Sequence, residues 1–156
     1  MFVEVATSIR GLVQQLAALA KTNVVDCQEN AALCAELERR CTARERIVYK
    51  RDGRTDRWTC FSLLVERAGK EAPIYGDCED LAALWAAYLL LLGFRVAVCI
   101  SQPRAGATAH AYLRVFDAPA GVWRVWDPAA WHGMHRPAPE FYASGETYCC
   151  ELELPC

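Results

Sequence analysis

The sequence predicts an α+β fold, with N-terminal helices and a central Cys-bearing helix packed on an antiparallel β-sheet. Three observations predict it. Apolar residues recur at helical spacing through the first third of the chain. The longest apolar run, Leu81 to Phe94, begins three residues after Cys78 and contains one glycine, near its end. Beyond Gly93 the pattern shifts to short β-branched and aromatic segments separated by turn residues.

Taken in order, Val5, Ile9, Leu12, Val13, Leu16, Leu19 and Ala20 share one helical face, so a first helix is expected to about Lys21, with a break at Thr22 and Asn23. Asp26 followed by Glu29 is a capping box, which predicts a second helix from Cys27 to about Arg46. Cys27, Cys34 and Cys41 recur every seven residues along it, either as a metal or redox stripe or as small hydrophobes packed against a neighbour, and packing is the favoured reading. Arg46 to Lys50 has strand character, and Asp52-Gly53 signals a turn. A short helix starting at Thr59 or Ser62 is closed by Gly69, and Lys70 to Tyr75 reads as loop. The next helix starts near Cys78, runs through Leu81, Leu84, Trp85, Tyr88, Leu89 and Leu92, and stops at Gly93. Strands are expected at Phe94 to Ile100, Ala109 to Phe116 and Val122 to Trp126, the last two joined by the turn Asp117 to Gly121. Gln102 to Thr108 and Trp131 to Ser144 read as loops, and Tyr148 to Leu154 as a final strand with Cys150, Leu152 and Leu154 on its dry face.

Composition narrows the function. The 156 residues suit one domain, and 54% hydrophobic residues supply a core. A net charge of -2, with no Lys/Arg block, lacks the basic footprint of a nucleic-acid binder. The run from Leu81 to Phe94 is shorter than the roughly 20 residues a bilayer requires, so no membrane partner is expected. Glu4, Arg10, Gln14 and Gln15 interrupt the N-terminal apolar stretch, so no secretory leader is expected and the location is read as cytoplasmic. Nine cysteines without a leader are expected to be reduced, and the absence of any Cys-x-x-Cys pair removes the usual spacing for zinc.

A thiol is a nucleophile as its thiolate, which a helix N-terminus and a nearby imidazole both favour. Cys78 opens the clearest helix, although Asp77, Glu79 and Asp80 beside it act against ionisation. Of three histidines, His110 begins a strand while His132 and His135 fall in a loop. Asp127 closes the partner strand just before Pro128, so antiparallel pairing through the Asp117 to Gly121 turn brings it to the same end of the hairpin as His110. Cys78 as nucleophile, His110 as base and Asp127 as its orienting acceptor form a candidate triad.

Four motifs occur in order: Gly76-Asp77-Cys78-Glu79-Asp80 before a long apolar helix, Gly93-Phe94-Arg95-Val96, His110-Ala111-Tyr112, and Trp123-Arg124-Val125-Trp126-Asp127-Pro128. Together they resemble the core of the transglutaminase-like superfamily, papain-like thiol enzymes, over about Tyr75 to Pro128. That resemblance implies one domain over 1–156, with a catalytic core at 75–128 and a helical N-terminal extension at 1–45. It also implies the same triad and acyl transfer through a Cys78 thioester, with no cofactor and no metal. The Cys78 amide and the Trp58 indole are candidate oxyanion donors. Tyr75, Trp126 and Trp131 are candidate walls of an acyl groove. Asp80 is a candidate contact for a basic substrate group, with a structural role at the helix start as its alternative.

The expected activity is hydrolysis of an amide or isopeptide bond in a peptide, protein or cell-wall peptide. Short domains of this pattern in phages imply a virion or tail-assembly setting. The alternatives are a non-enzymatic assembly module that keeps the fold, a cross-linking transglutaminase, and a redox or metal-binding protein.

Overall fold

The computed structural model describes residues 8–51, 58–69, 71–104, 107–137, 141–142 and 146–154. Its elements run α1 (Ile9–Glu29), α2 (Ala31–Cys41), a 3-10 turn at Arg44–Arg46, β1 (Ile47–Tyr49), α3 (Phe61–Ala68), β2 (Ile74–Gly76), α4 (Cys78–Leu91), β3 (Val96–Gln102), β4 (His110–Asp117), β5 (Val122–Trp126), α5 (Pro128–Trp131) and β6 (Glu146–Glu151). This is an α+β architecture. A four-stranded antiparallel sheet in the order β5-β4-β3-β6 stands beside a small parallel pair, β1-β2.

Helix α4 is apolar on every side, and such helices are stable only inside. Ten of its fourteen residues are buried, and it packs on β4 and β3 beside α1, which itself lies against β3 and β6. Leu81 and Leu84 of α4 meet Val13, Leu16 and Val24 of α1, and Val98, Ile100 and Leu113 of the sheet, in one continuous core. The opposite face of the sheet carries a smaller cluster of Cys99, Tyr112 and Tyr142.

The N-terminal third departs from expectation. Helix α1 runs through Thr22 and Asn23 without a break, because Thr22 Oγ1 donates back to the Ala18 carbonyl at 3.0 Å and Asn23 faces inward. Asn23 Oδ1 accepts the Phe61 amide at 2.8 Å, satisfying a donor at the start of α3 for which the Cys60 N-cap makes no side-chain bond. The break falls at Asn30, whose side chain caps α2 by accepting the Ala32 and Leu33 amides at 3.1 Å each; Asp26 instead accepts from Ser62. The three cysteines at seven-residue spacing are therefore divided between α1 and α2, with Cys27 and Cys41 buried in the core.

Two further short elements add to those expected. Ile74 to Gly76 pairs in parallel with Ile47 to Tyr49, and α5 follows Asp127 directly. Gly76 is required where β2 meets α4: a Cβ there falls 2.9 Å from Asp80 Cβ and 3.2 Å from Leu81 Cδ2. Val5, the Asp52-Gly53 turn, Lys70, Gly106, Pro139, Ser144 and Cys156 lie outside the described residues.

The expectation of reduced cysteines is corrected at one pair. Cys99 of β3 and Cys149 of β6 are joined by a disulfide, with their Cα atoms 4.1 Å apart. The Leu152 amide donates to the Val96 carbonyl, and alternation along an antiparallel ladder then makes Cys99 and Cys149 a non-hydrogen-bonded pair. Side chains approach most closely at such pairs, so the register itself brings the two sulfurs together. No helix among the described residues is long and apolar enough to cross a membrane.

Candidate active site

Cys78 is the first residue of α4 and is buried, 8% exposed. The Asp77 side chain caps this helix, accepting the amides of Glu79 and Asp80 at 3.1 and 3.2 Å. Capping orders the turn, but it places a carboxylate where a thiolate needs donors. The Cys78 thiol donates to Glu79 Oε2 at 3.0 Å. Burial, then the Glu79 charge, hold its pKa well above the usual thiol range, and only the Ala111 backbone amide acts noticeably the other way. Burial and the nearby Asp77 charge also push the Glu79 carboxyl up to about 7.

His110 opens β4 and is buried with Asp127, which lies just past β5. The register Leu113 to Trp126 carries the hairpin on until His110 Nε2 lies 2.8 Å from Asp127 Oδ2. Burial alone raises a carboxyl pKa, yet Asp127 is held below its ordinary range by His110, Tyr142 and the Ala130 amide. An ionised Asp127 only accepts, so the Nε2 proton belongs to His110 and Nδ1 is left as the basic nitrogen. Tyr142 donates to the same Oδ2 at 2.6 Å, and the Ala130 amide donates to Oδ1 at 3.1 Å as Asp127 caps α5.

The structure therefore joins two of the three triad candidates directly and brings the third to the residue beside them. No hydrogen bond links Cys78 to His110. The sulfur instead meets the amide of Ala111, next along β4, while its proton goes to Glu79.

The other site candidates separate. Asp80 is 3% exposed and its Oδ1 accepts the Thr59 amide at 2.7 Å, so it binds the segment before α3 to the start of α4 and does not face a substrate. That bond leaves Trp58, half-buried against the main core, one residue from the first turn of α4. Tyr75 is half-exposed three residues before Cys78, with Lys50 Nζ 5.7 Å above its ring. Trp126 pairs with Leu113 and so points to the helix side of the sheet, away from His110 and Asp127. It packs on Trp85 and Trp131, at ring distances of 5.4 and 5.5 Å, and lines a cavity of about 480 Å³ with Arg44 and Leu89. Trp126 and Trp131 therefore do not wall the face that carries the His–Asp pair.

Three residues escaped the sequence reading. Glu79 was legible only as one of several carboxylates near Cys78, not as the acceptor of its proton. Tyr142 lay in a stretch read as loop, where the adjacent aromatic pair Phe141-Tyr142 was the sole signal. His132 was assigned to the same loop but is buried, and its Nε2 accepts the Trp85 indole N–H at 2.9 Å. Burial lowers its pKa, which suits this acceptor role.

No protein family, curated protein or solved structure compared with this chain matches it.

Proposed function

We propose that the chain is a cysteine-dependent acyl-transfer enzyme of the transglutaminase-like kind, a thiol peptidase or amidase that hydrolyses an amide or isopeptide bond. One observation carries this reading: His110, bonded to the buried Asp127, is followed on β4 by Ala111, whose amide meets the Cys78 sulfur at the head of a helix. An isolated His–Asp contact is compatible with many structural roles, whereas a thiol whose sulfur meets the residue next to that histidine supports nucleophilic chemistry.

In the proposed cycle the Cys78 side chain turns from Glu79 toward His110 Nδ1, which takes its proton as sulfur attacks the carbonyl carbon. Asp127 stabilises the imidazolium that forms. His110 returns the proton to the leaving amine, and water drawn in by the same nitrogen resolves the thioester. The Cys78 amide and the Trp58 indole are the proposed donors to the oxyanion.

A second reading has its own observation. The Glu79 hydrogen bond and the raised Cys78 pKa describe a resting thiol, which fits a structural or assembly module that keeps the fold. Iodoacetamide labelling at neutral pH, mapped by mass spectrometry, separates the two. The enzyme reading expects one fast site, Cys78, slowed at least tenfold in His110→Ala, and a trapped acyl adduct on Cys78 from an activated ester. Uniform slow labelling of all accessible thiols, with no adduct, supports the module instead.

A further inference from the structure

The disulfide and the triad carboxylate lie in one row across the sheet. Cys149 of β6 pairs with Cys99 of β3, and Cys99 pairs with Tyr112 of β4. Because Leu113 pairs with Trp126, the residue after Trp126, Asp127, stands beside Tyr112 at the end of that row. Tyr142 packs over it. Its ring meets Tyr112 edge-on at 4.9 Å, its carbonyl accepts the Tyr112 hydroxyl at 3.2 Å, and its own hydroxyl reaches Asp127 Oδ2.

A second row lies alongside. Thr147 of β6 pairs with Ser101, and Ser101 pairs with His110. Ser101 Oγ bonds both Thr147 Oγ1, at 2.8 Å, and Tyr112 Oη, at 3.0 Å. His110 lies between the rings of Tyr112 and Phe141, at 6.2 and 5.9 Å. The Phe141–Tyr142 segment is thus a strap across the His–Asp pair. Among the described residues the strand that follows it, β6, is hydrogen-bonded into the sheet only through β3, the strand to which the disulfide ties it.

We propose that Tyr142 is a positioning residue for Asp127 and that the Cys99–Cys149 disulfide holds it there, so that the His110–Asp127 pair is fixed in the disulfide form and loosened in the dithiol form. The inference rests on reading that pair as the catalytic base and its orienter. Its chemistry is ordinary thiol–disulfide exchange with a dithiol reductant. Cys149 belongs to an exposed position and Cys99 is fully buried, so the reductant's thiolate attacks the Cys149 sulfur and Cys99 leaves as a thiolate that takes up a proton. The reductant's second thiol then attacks the mixed disulfide, releasing Cys149 as a thiol and the reductant as its own disulfide. Two electrons and two protons pass to the protein. Cys150 is not the resolving thiol: it faces the opposite side of the sheet, packed against the main core.

The test follows the His110 Nε2 proton, which Asp127 binds, by its downfield proton resonance and its exchange with water, using the full chain. His110→Gln assigns the signal, and mass tagging counts the thiols before and after dithiothreitol. Expected results are an exchange rate at least tenfold faster in Tyr142→Phe with the disulfide intact, a similar increase after dithiothreitol opens the disulfide in the unmodified chain, and little additional increase when both changes are combined. Cys149→Ser, which cannot form the bond, should match the reduced chain. An unchanged exchange rate in Tyr142→Phe refutes the positioning role. An unchanged rate in the fully reduced chain, or global unfolding on reduction seen as loss of spectral dispersion, refutes the local switch. Iodoacetamide labelling on the same samples keeps the two proposals apart: a responsive Nε2 proton with an inert Cys78 overturns the enzymatic reading and leaves this one standing.

Discussion

Replacing Arg40 by Ala should cost this protein a large share of its stability and disturb the approach to Cys78. Arg40 is 0% exposed, and its guanidinium is a hub of contacts. Nε donates to Glu36 Oε1 at 2.6 Å, Nη1 to the carbonyls of Ala72 and Arg46, and Nη2 to the Gly69 carbonyl at 2.9 Å. These bonds join α2 to the segment that runs from the end of α3 into β2, two residues before Cys78. Alanine removes every one of these donors and leaves a partly buried carboxylate and the main-chain acceptors without them. Glu36 keeps Arg39, at 2.6 and 2.7 Å, so the cost lies in the three carbonyls that lose their donor, at about 1–3 kcal/mol for each left unpaired, or roughly 3–5 kcal/mol in all. Against a total stability of about 5–15 kcal/mol, that is a third or more of the whole for most domains. At roughly 2–4 °C per kcal/mol for a domain near this size, the melting temperature should fall by about 6–20 °C. Urea unfolding followed by circular dichroism measures the loss, with Arg40→Lys as the control that keeps the charge but not the planar fork, and it should recover only part of it. A loss below about 1 kcal/mol in Arg40→Ala would show that water or a rearranged segment replaces the guanidinium, and the hub argument would fail.

Glu79→Gln should raise the neutral-pH alkylation rate of Cys78 several-fold, since it removes the charge that, after burial, most opposes the thiolate; an unchanged rate sinks that assignment. The same substitution should flatten the pH dependence of stability between about 4.5 and 7: the folded-state pKa of Glu79 lies above its unfolded value, so its contribution is full below 4.5 and is lost as pH rises to 7, which urea midpoints across that range will read. Asp127 has the opposite sign. Its depressed folded pKa gives stability that is present above the unfolded value of 3.8 and lost as pH falls through the folded one, and Asp127→Asn should remove that acid-side slope. Gly76→Ala should shift β2 away from the first turn of α4, because its Cβ would stand 2.9 Å from Asp80 Cβ; slower Cys78 labelling with a melting temperature lowered by several degrees is the expected pair of results, and neither is expected if the contact relaxes freely.

What the sequence disclosed was whatever local periodicity and single turns determine. The extent of α4 was readable because its apolar residues recur at helical spacing from just after Cys78 and end at Gly93, both of them local signals. The His110–Asp127 contact was readable because a short hairpin fixes register by arithmetic. Where the backbone is satisfied from a distance, the reading failed. Asn23 looked like a helix breaker, but its amide oxygen answers an N–H 38 residues away, and no window along the chain contains both. Arg40 sat among charged residues of an amphipathic helix, and nothing nearby announced that three carbonyls downstream would bury it. The disulfide failed for a related reason: the two sulfurs are 50 residues apart, and the register that aligns them depends on β6 returning to the far edge of β3.

The site itself can be reduced to a contest for one proton. Glu79 is bonded to the Cys78 thiol, and His110 is the residue before Ala111, whose amide meets the sulfur; as acceptors the two differ in what happens after transfer. If Glu79 takes the proton, a thiolate is left beside the neutral acid, in a buried place that offers it the Ala111 amide and little else. If His110 takes it, the thiolate gains an imidazolium, and that cation is stabilised in turn by Asp127, which stays ionised. Only the second route separates charge productively, because each new charge has an opposite partner. Yet the ionised Glu79 both binds the thiol proton and repels the thiolate. With its carboxyl titrating at about 7, this opposition is present in a large fraction of molecules at neutral pH and fades as the solution is acidified. Alkylation of Cys78 should therefore fall less steeply toward pH 6 than thiol ionisation alone dictates, and in Glu79→Gln that relief should vanish. A wild-type profile that follows the simple thiol curve would mean that Glu79 does not take part in the contest.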